Sequence, residues 1–277
     1  MQRLDNWDQF QKSFHRIKRN SSGYSSNLYA GRESIEDWMA RGQFFCMPGT
    51  DASLFFRRDR DFYHLFHVAA SSNALVSILH DMPDQLDVLT VDLVGTPVTL
   101  APWTDAYCVG GFEPHSTLVR MSRNGPVSLP ASGGESDVEV AGPDDAAPIV
   151  AFFERLLDRH AEQLPSTDDI LREALQSRVL LVRQGAVPCG VLIFDLKGRS
   201  ATLRYWHVDK HARGRGIGSR LMQQFLARCV DTARVALWVK ANNAASISIY
   251  RYYGFETDSL IDDIMIKVPR GKHGQNS

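Results

Sequence analysis

The order of segments in the first half of this sequence recurs in the second, and a chain that repeats itself this way is expected to form one kind of unit twice. In the second half, residues 167–183 (TDDILREALQSRVLLVR) predict a helix and then a strand. Turns and two further strands follow, 189–196 (CGVLIFDL) and 201–208 (ATLRYWHV). Residues 33–47 (ESIEDWMARGQFFCM), 52–58 (ASLFFRR) and 62–68 (FYHLFHV) give the same succession in the first half. HLFHV and RYWHV end alike, so that His67-Val68 parallels His207-Val208. Further on, Tyr107-x-x-x-Gly111-Phe112-Glu113 matches Tyr250-x-x-x-Gly254-Phe255-Glu256, each before an apolar strand, TLVRM or DIMIKV.

Between the halves lies NGPVSLPASGGESD, residues 124–137, with little apolar content to bury. The expected organisation is a first domain at 1–123, a linker at 124–136, a second domain at 137–270 and a mobile tail at 271–277. The 277 residues, 44% of them hydrophobic, suffice for two such cores.

The halves differ sharply at one place. After Val68 the chain continues AASSNALVSIL, but after Val208 it continues toward HARGRGIGSRL, residues 211–221. Ile217, Leu221, Phe225 and Cys229 fall at successive i+4 positions, predicting a helix from about Gly216 to Val230 with one buried face. The glycines stand at its N-terminus, where backbone N–H groups lack intrahelical partners and the helix dipole is positive, a setting suited to an anion. Without β-carbons at Gly214, Gly216 and Gly218 a phosphate oxygen can close on the backbone, and Arg213 and Arg215 can add charge-assisted bonds. The plain alternative is an ordinary strand-to-helix turn with solvated arginines. A nucleotide P-loop is excluded because no lysine lies in the loop, and a dinucleotide fingerprint because Ser219 stands where its third glycine belongs.

The pattern Arg213-x-x-Gly216-x-Gly218, opening an apolar helix after a strand that ends in Val208, resembles the signature of the GNAT superfamily of N-acetyltransferases. Asn243-x-x-Ser246-Ile247-x-x-Tyr250-x-x-x-Gly254-Phe255 is similar to a second GNAT element, with Ser246 in place of the commoner alanine. The resemblance covers about residues 138–270. It implies an α/β fold of two tandem GNAT-like domains, each a mostly antiparallel central sheet flanked by helices, with the first copy degenerate. Tandem proteins with one catalytic half, such as the mycothiol synthases, resemble this architecture.

The resemblance also implies an acyl-CoA donor, acetyl-CoA above all, with its pyrophosphate on the amides of Arg213, Gly214, Arg215, Gly216, Ile217, Gly218 and Ser219. The pantetheine arm would pair with Trp206, His207 and Val208 and meet Asn243 and Ser246. Tyr250 would lie near the sulfur, as the acid that protonates the departing thiolate. The alternative for Tyr250 is a packed aromatic, as Tyr107 suggests. A lysine-like amine with a pKa near ~10.4 is neutral in only about one part in 2,500 at pH 7, a cost of roughly 4.6 kcal/mol, so the acceptor needs a base. The family's usual strand glutamate is replaced by Arg204, which accepts no proton near neutrality. Asp195, Tyr205, His207, Glu256 and Asp258 remain as candidates. The first copy, lacking the loop, is expected to hold no CoA, with Trp103, Tyr107 and Phe112 in its core. Its segment 57–64 (RRDRDFYH) reads as a charged hairpin turn or as an anchor for acceptor carboxylates.

With 31 Lys and Arg against 32 Asp and Glu, the chain has no basic surplus of the kind that makes nucleic acid a default partner. No apolar run approaches membrane-spanning length, and the N-terminus is not of secretory type, so the expected protein is cytoplasmic. Four scattered cysteines predict reduced thiols and no metal site. The expected activity is transfer of an acetyl group to a primary amine of a small molecule or amino acid, by a monomer or homodimer. The alternatives are a protein-lysine or N-terminal acetyltransferase, a CoA-binding regulator without turnover, and a scaffold.

Overall fold

The computed structural model describes residues 1–20, 23–83, 86–125 and 137–269. The expected tail at 271–277 and nearly all of the expected linker lie outside them. The chain divides into two compact units, one of Met1–Leu118 with Ser259–Ser277 and one of Val119–Asp258.

The first unit runs β1 (Gln2–Arg3), α1 (Trp7–Asn20), β2 (Ser25–Ser26), α2 (Arg32–Ala40), β3 (Phe44–Pro48), β4 (Ala52–Asp59), β5 (Phe62–Ala69), α3 (Ser72–His80), β6 (Val88–Gly95), α4 (Pro97–Val109) and the start of β7 (Glu113–Asn124). β3, β4 and β5 are antiparallel neighbours, while β5 and β6 run parallel. Alternation along the strands sends Leu54, Leu65 and Val91 to one face, under α3 and α4. Phe44, Phe55 and Val68 go to the other, under α1 and α2. The charged segment at 57–64 is a hairpin turn, with Arg60 at φ 56°. Tyr107 and Phe112 are core residues, and Trp103 packs against the same cluster.

The second unit continues from the end of β7 through β8 (Glu139–Val140), α5 (Ala146–Glu154), α6 (Thr167–Leu175), β9 (Val179–Gln184), β10 (Val187–Lys197), β11 (Ser200–Val208), α7 (Ile217–Arg228), β12 (Arg234–Lys240), α8 (Ala244–Tyr252) and the start of β13 (Glu256–Lys267). Here too an antiparallel series, β9 to β11, leads to one parallel pair, β11 with β12. The apolar stripe of α7 is Ile217, Leu221, Met222, Phe225 and Leu226, all buried against this sheet. Burial of each large side chain is worth about 1.5–3 kcal/mol, so tertiary packing holds the helix in place.

The units do not divide where composition suggests. Residues 261–267 of β13 pair with 89–95 of β6, in the first unit. The end of β7 lies beside β12 in the second, where Met121 is fully buried in the core. The strands that follow the two Tyr-x-x-x-Gly-Phe-Glu motifs are thus exchanged between the copies. Apolar alternation specifies a strand and its buried face, but not its neighbour, and the expected boundaries at 123 and 270 missed the exchange for that reason.

Candidate active site

β11 and β12 pair only from Ser200 with Arg234 to Leu203 with Leu237, although both strands continue past that point. The cause is visible one residue on. The ladder between β10 and β11 matches Ile193 to Tyr205 but Phe194 to Leu203, so Arg204 is an extra residue, a β-bulge. A bulge bends its strand and raises the local twist, turning β11 away from β12. Backbone groups of residues 205–208 thus border a gap where an extended ligand can pair.

At the end of β11 the chain makes a short 3₁₀ turn (Lys210–Ala212), with the Asp209 carboxylate accepting from the His211 N–H at 2.9 Å. Gly214 and Gly216 follow with φ of +79° and +73°, conformations that glycine adopts without strain. Gly216 is the N-cap of α7 and no side chain caps that end. Residues 213–216 and Ser219 are exposed. Gly218 is in the first turn, where a β-carbon would come within 3.3 Å of the Trp206 ring. Arg220 braces the bend from behind: its guanidinium bonds both carboxylate oxygens of Asp137, at 2.6 and 3.0 Å, and the Arg215 carbonyl at 2.8 Å.

Three predicted residues belong to α8: Asn243 at its N-cap, and Ser246 and Tyr250 within the helix. Asn243 is exposed at its N-cap, where Oδ1 accepts from the Ser246 N–H at 3.1 Å and leaves the amide Nδ2 as a donor. Tyr250 is 8% exposed, its ring 5.5 Å from that of Trp206 and 5.9 Å from that of Phe255. Burial raises its pKa above the usual phenol value, so the hydroxyl keeps its proton.

Residues 149–255 match the family model described as acetyltransferase (GNAT) family. This segment is a GNAT acetyltransferase domain. Solved structures agree on the fold. A GCN5-related N-acetyltransferase from Sphaerobacter thermophilus, 14% identical, superposes with a TM-score of 0.54 over 93% of this chain and 91% of its own. For a GNAT-family acetyltransferase from Colwellia psychrerythraea the values are 14%, 0.53, 94% and 96%. A tandem GNAT protein from the clavulanic acid biosynthesis pathway gives 11%, 0.53, 94% and 93%. No curated protein matches the sequence. The matched segment lies within the second unit and includes the end of β11, the glycine bend, α7 and α8.

The GNAT domain sorts the base candidates by what already holds them. Asp195 faces the Arg204 guanidinium at 3.7 Å. Asp258 is bonded by Arg120 at 2.6 Å and by Arg234 at 3.1 Å. The Tyr205 hydroxyl donates to the Gln163 carbonyl, and burial raises its pKa. Glu256 is exposed where β13 begins. His207 lies on the splayed part of β11, its ring 5.9 Å from Phe153. Burial lowers its pKa below the ordinary imidazole value; Arg213 and Lys240 act in the same direction and Glu162 opposes them. The ring is therefore neutral at pH 7. Glu162, between α5 and α6, bonds Lys240 at the end of β12 at 3.3 Å. Sequence reading missed this carboxylate because nothing in a loop's composition shows which strand it reaches.

The first copy lacks more than the glycine loop. Its helix α3 has a closed N-terminus, where Ser71 accepts from the Ala74 N–H at 3.2 Å. β5 and β6 also part early, after His64 with Thr90, but here the chain fills the gap itself. The side chain of Asn27, 3% exposed, donates to the carbonyls of Leu65 (3.2 Å) and Asp92 (3.1 Å) and accepts from the His67 N–H (2.7 Å). The His-Val echo is also out of phase. β4 and β5 pair without a bulge, so His67 faces α4 and bonds the Tyr107 hydroxyl at 2.9 Å. In the GNAT domain the residue beside Tyr250 is Trp206, and His207 faces the opposite helix layer. The parallel of His67-Val68 with His207-Val208 in sequence is therefore not a parallel of position in space.

Proposed function

We propose that this chain is an acyl-CoA-dependent N-acetyltransferase with one donor site, in the second unit, acting on a primary amine of a small molecule or amino acid. The observation that supports it most is the contrast between two equivalent helix ends. α7 begins on exposed glycines without a side-chain cap, whereas α3 is closed by Ser71. In this reading the amides of residues 213–219 hold the donor pyrophosphate, with Arg213 and Arg215 adding charge. The pantetheine arm pairs along Trp206, His207 and Val208, and Asn243 Nδ2 and the region of Ser246 meet it from α8.

The amine nitrogen attacks the thioester carbonyl, the C–N bond forms and the C–S bond breaks. The neutral His207 imidazole takes the proton lost by the amine, and Glu162 offsets the charge that results. The Tyr250 phenol supplies a proton to the sulfur as it leaves. Calorimetric titration with acetyl-CoA tests the donor site, and appearance of free thiol on adding a panel of amines tests turnover. Absence of acetyl-CoA binding overturns the reading; binding without thiol release favours a regulator.

A further inference from the structure

The bend that carries Gly214 and Gly216 is held by a residue of the helix it opens. Arg220 bonds it twice: its backbone N–H donates to the Gly216 carbonyl at 3.1 Å, and its guanidinium donates to the Arg215 carbonyl at 2.8 Å. A trans peptide directs its N–H opposite to its C=O, and no peptide bond among the described residues is cis. With the Arg215 carbonyl drawn toward Arg220, the Gly216 N–H is aimed the other way.

Left to itself, an arginine side chain samples many rotamers. Asp137 removes that freedom. Its two carboxylate oxygens accept from Arg220 Nε and Nη2 at 2.6 and 3.0 Å, a two-point geometry that fixes the plane of the guanidinium and leaves Nη1 directed at the bend. Asp137 is fixed in turn by its neighbours. Val138 packs against the core that contains Ile217 and Leu221, and Glu139 and Val140 pair with Leu181 and Leu180 of β9.

Asp137 lies outside the segment that matches the family model and 83 residues from Arg220 in sequence. We propose, on the reading that this bend holds the donor pyrophosphate, that Asp137 is a positioning residue of the donor site. Through Arg220 it sets the Arg215–Gly216 peptide so that the Gly216 N–H faces the pyrophosphate.

Charge and positioning predict opposite effects of Asp137→Ala. A carboxylate beside a diphosphate repels it, so charge alone makes the variant bind CoA more tightly. Positioning makes it bind more weakly: affinity by calorimetry should fall about three- to tenfold, the worth of one hydrogen bond. The KM for acetyl-CoA should rise alike, with kcat at saturation changed by no more than about twofold. Asp137→Asn, which keeps one acceptor oxygen, should lose less. Both partners are partly exposed, so the melting temperature should fall by no more than about 4 °C. In an Arg220→Ala chain the carboxylate has nothing to orient, and adding Asp137→Ala should weaken binding no further.

Unchanged or tighter CoA binding by Asp137→Ala, beside a wild type that binds, overturns the positioning role and leaves the donor site standing. So does an equal loss in both backgrounds, or a loss that accompanies a larger fall in melting temperature. Absence of CoA binding by the wild type overturns the donor site itself, and this role with it.

Discussion

Gly216→Ala separates a phosphate-holding bend from an ordinary turn. At φ +73° a β-carbon costs roughly 1–2 kcal/mol, and at this site it would also lie 3.0 Å from Arg220 Nη1. Arg220 has little room to yield, since it is tied to Asp137 and to the Arg215 carbonyl. If the donor requires the left-handed conformation at this residue, the strain appears as a loss of affinity of about 5- to 30-fold, because every 1.4 kcal/mol is a factor of ten. Valine, β-branched, should lose more. Gly198 supplies the control: φ is +56° in the hairpin between β10 and β11, with open space around its α-carbon. Gly198→Ala carries the same kind of strain and should lower the melting temperature while leaving CoA affinity unchanged. Both variants are read by calorimetry with CoA and by thermal melts. Wild-type affinity in Gly216→Ala, or equal weakening in Gly198→Ala, refutes the assignment of the loop.

Tyr250→Phe should lower kcat by about 10²-fold or more with little change in CoA affinity, measured by steady-state kinetics beside calorimetry; wild-type turnover would exclude the phenol as the acid. Because a base must be deprotonated and burial lowers the His207 pKa, the acid limb of kcat/KM should fall below pH 6.5, and His207→Gln should abolish that limb. His67 binds no proton in the folded state until about pH 3 but does so near 6.5 when unfolded. Its contribution to stability is thus complete above pH 6.5 and is lost at up to about 1.4 kcal/mol per unit as pH falls toward 3, which denaturant titrations across that range can measure. A fragment of residues 119–258 should melt cooperatively, while one of 137–270 should not, since it lacks the strand that carries buried Met121; circular dichroism of the two decides.

Much of this structure could be read from residue order. The repeated succession of helix and strands, the amphipathic α7 and the glycine bend before it all follow from periodicities of 3.6 and 2 and from the special freedom of glycine. What escaped depended on pairing across long separations. The bulge at Arg204 is one residue, and it reverses which face His207 presents, so two sequences ending in His-Val are not equivalent in space. The strand exchange leaves the alternation of TLVRM and DIMIKV unchanged while altering their neighbours. Asn27 and Glu162 act from segments whose composition suggests only connection.

The two copies also treat the same strand gap in different ways. Loss of a phosphate loop alone would leave β5 and β6 parted, with unpaired N–H and C=O groups between them, and buried groups in that state cost about 1–3 kcal/mol each. Asn27 satisfies three of them with one carboxamide, both acceptor carbonyls and the His67 N–H. The first unit is therefore stable with its gap closed by its own chain, whereas the second leaves residues 205–208 beside an open gap and α7 uncapped. Asn27→Ala, by orphaning the same three groups, should cost the first unit about 3 kcal/mol or more, and a loss below about 1 kcal/mol would mean that water, not this side chain, keeps the gap together.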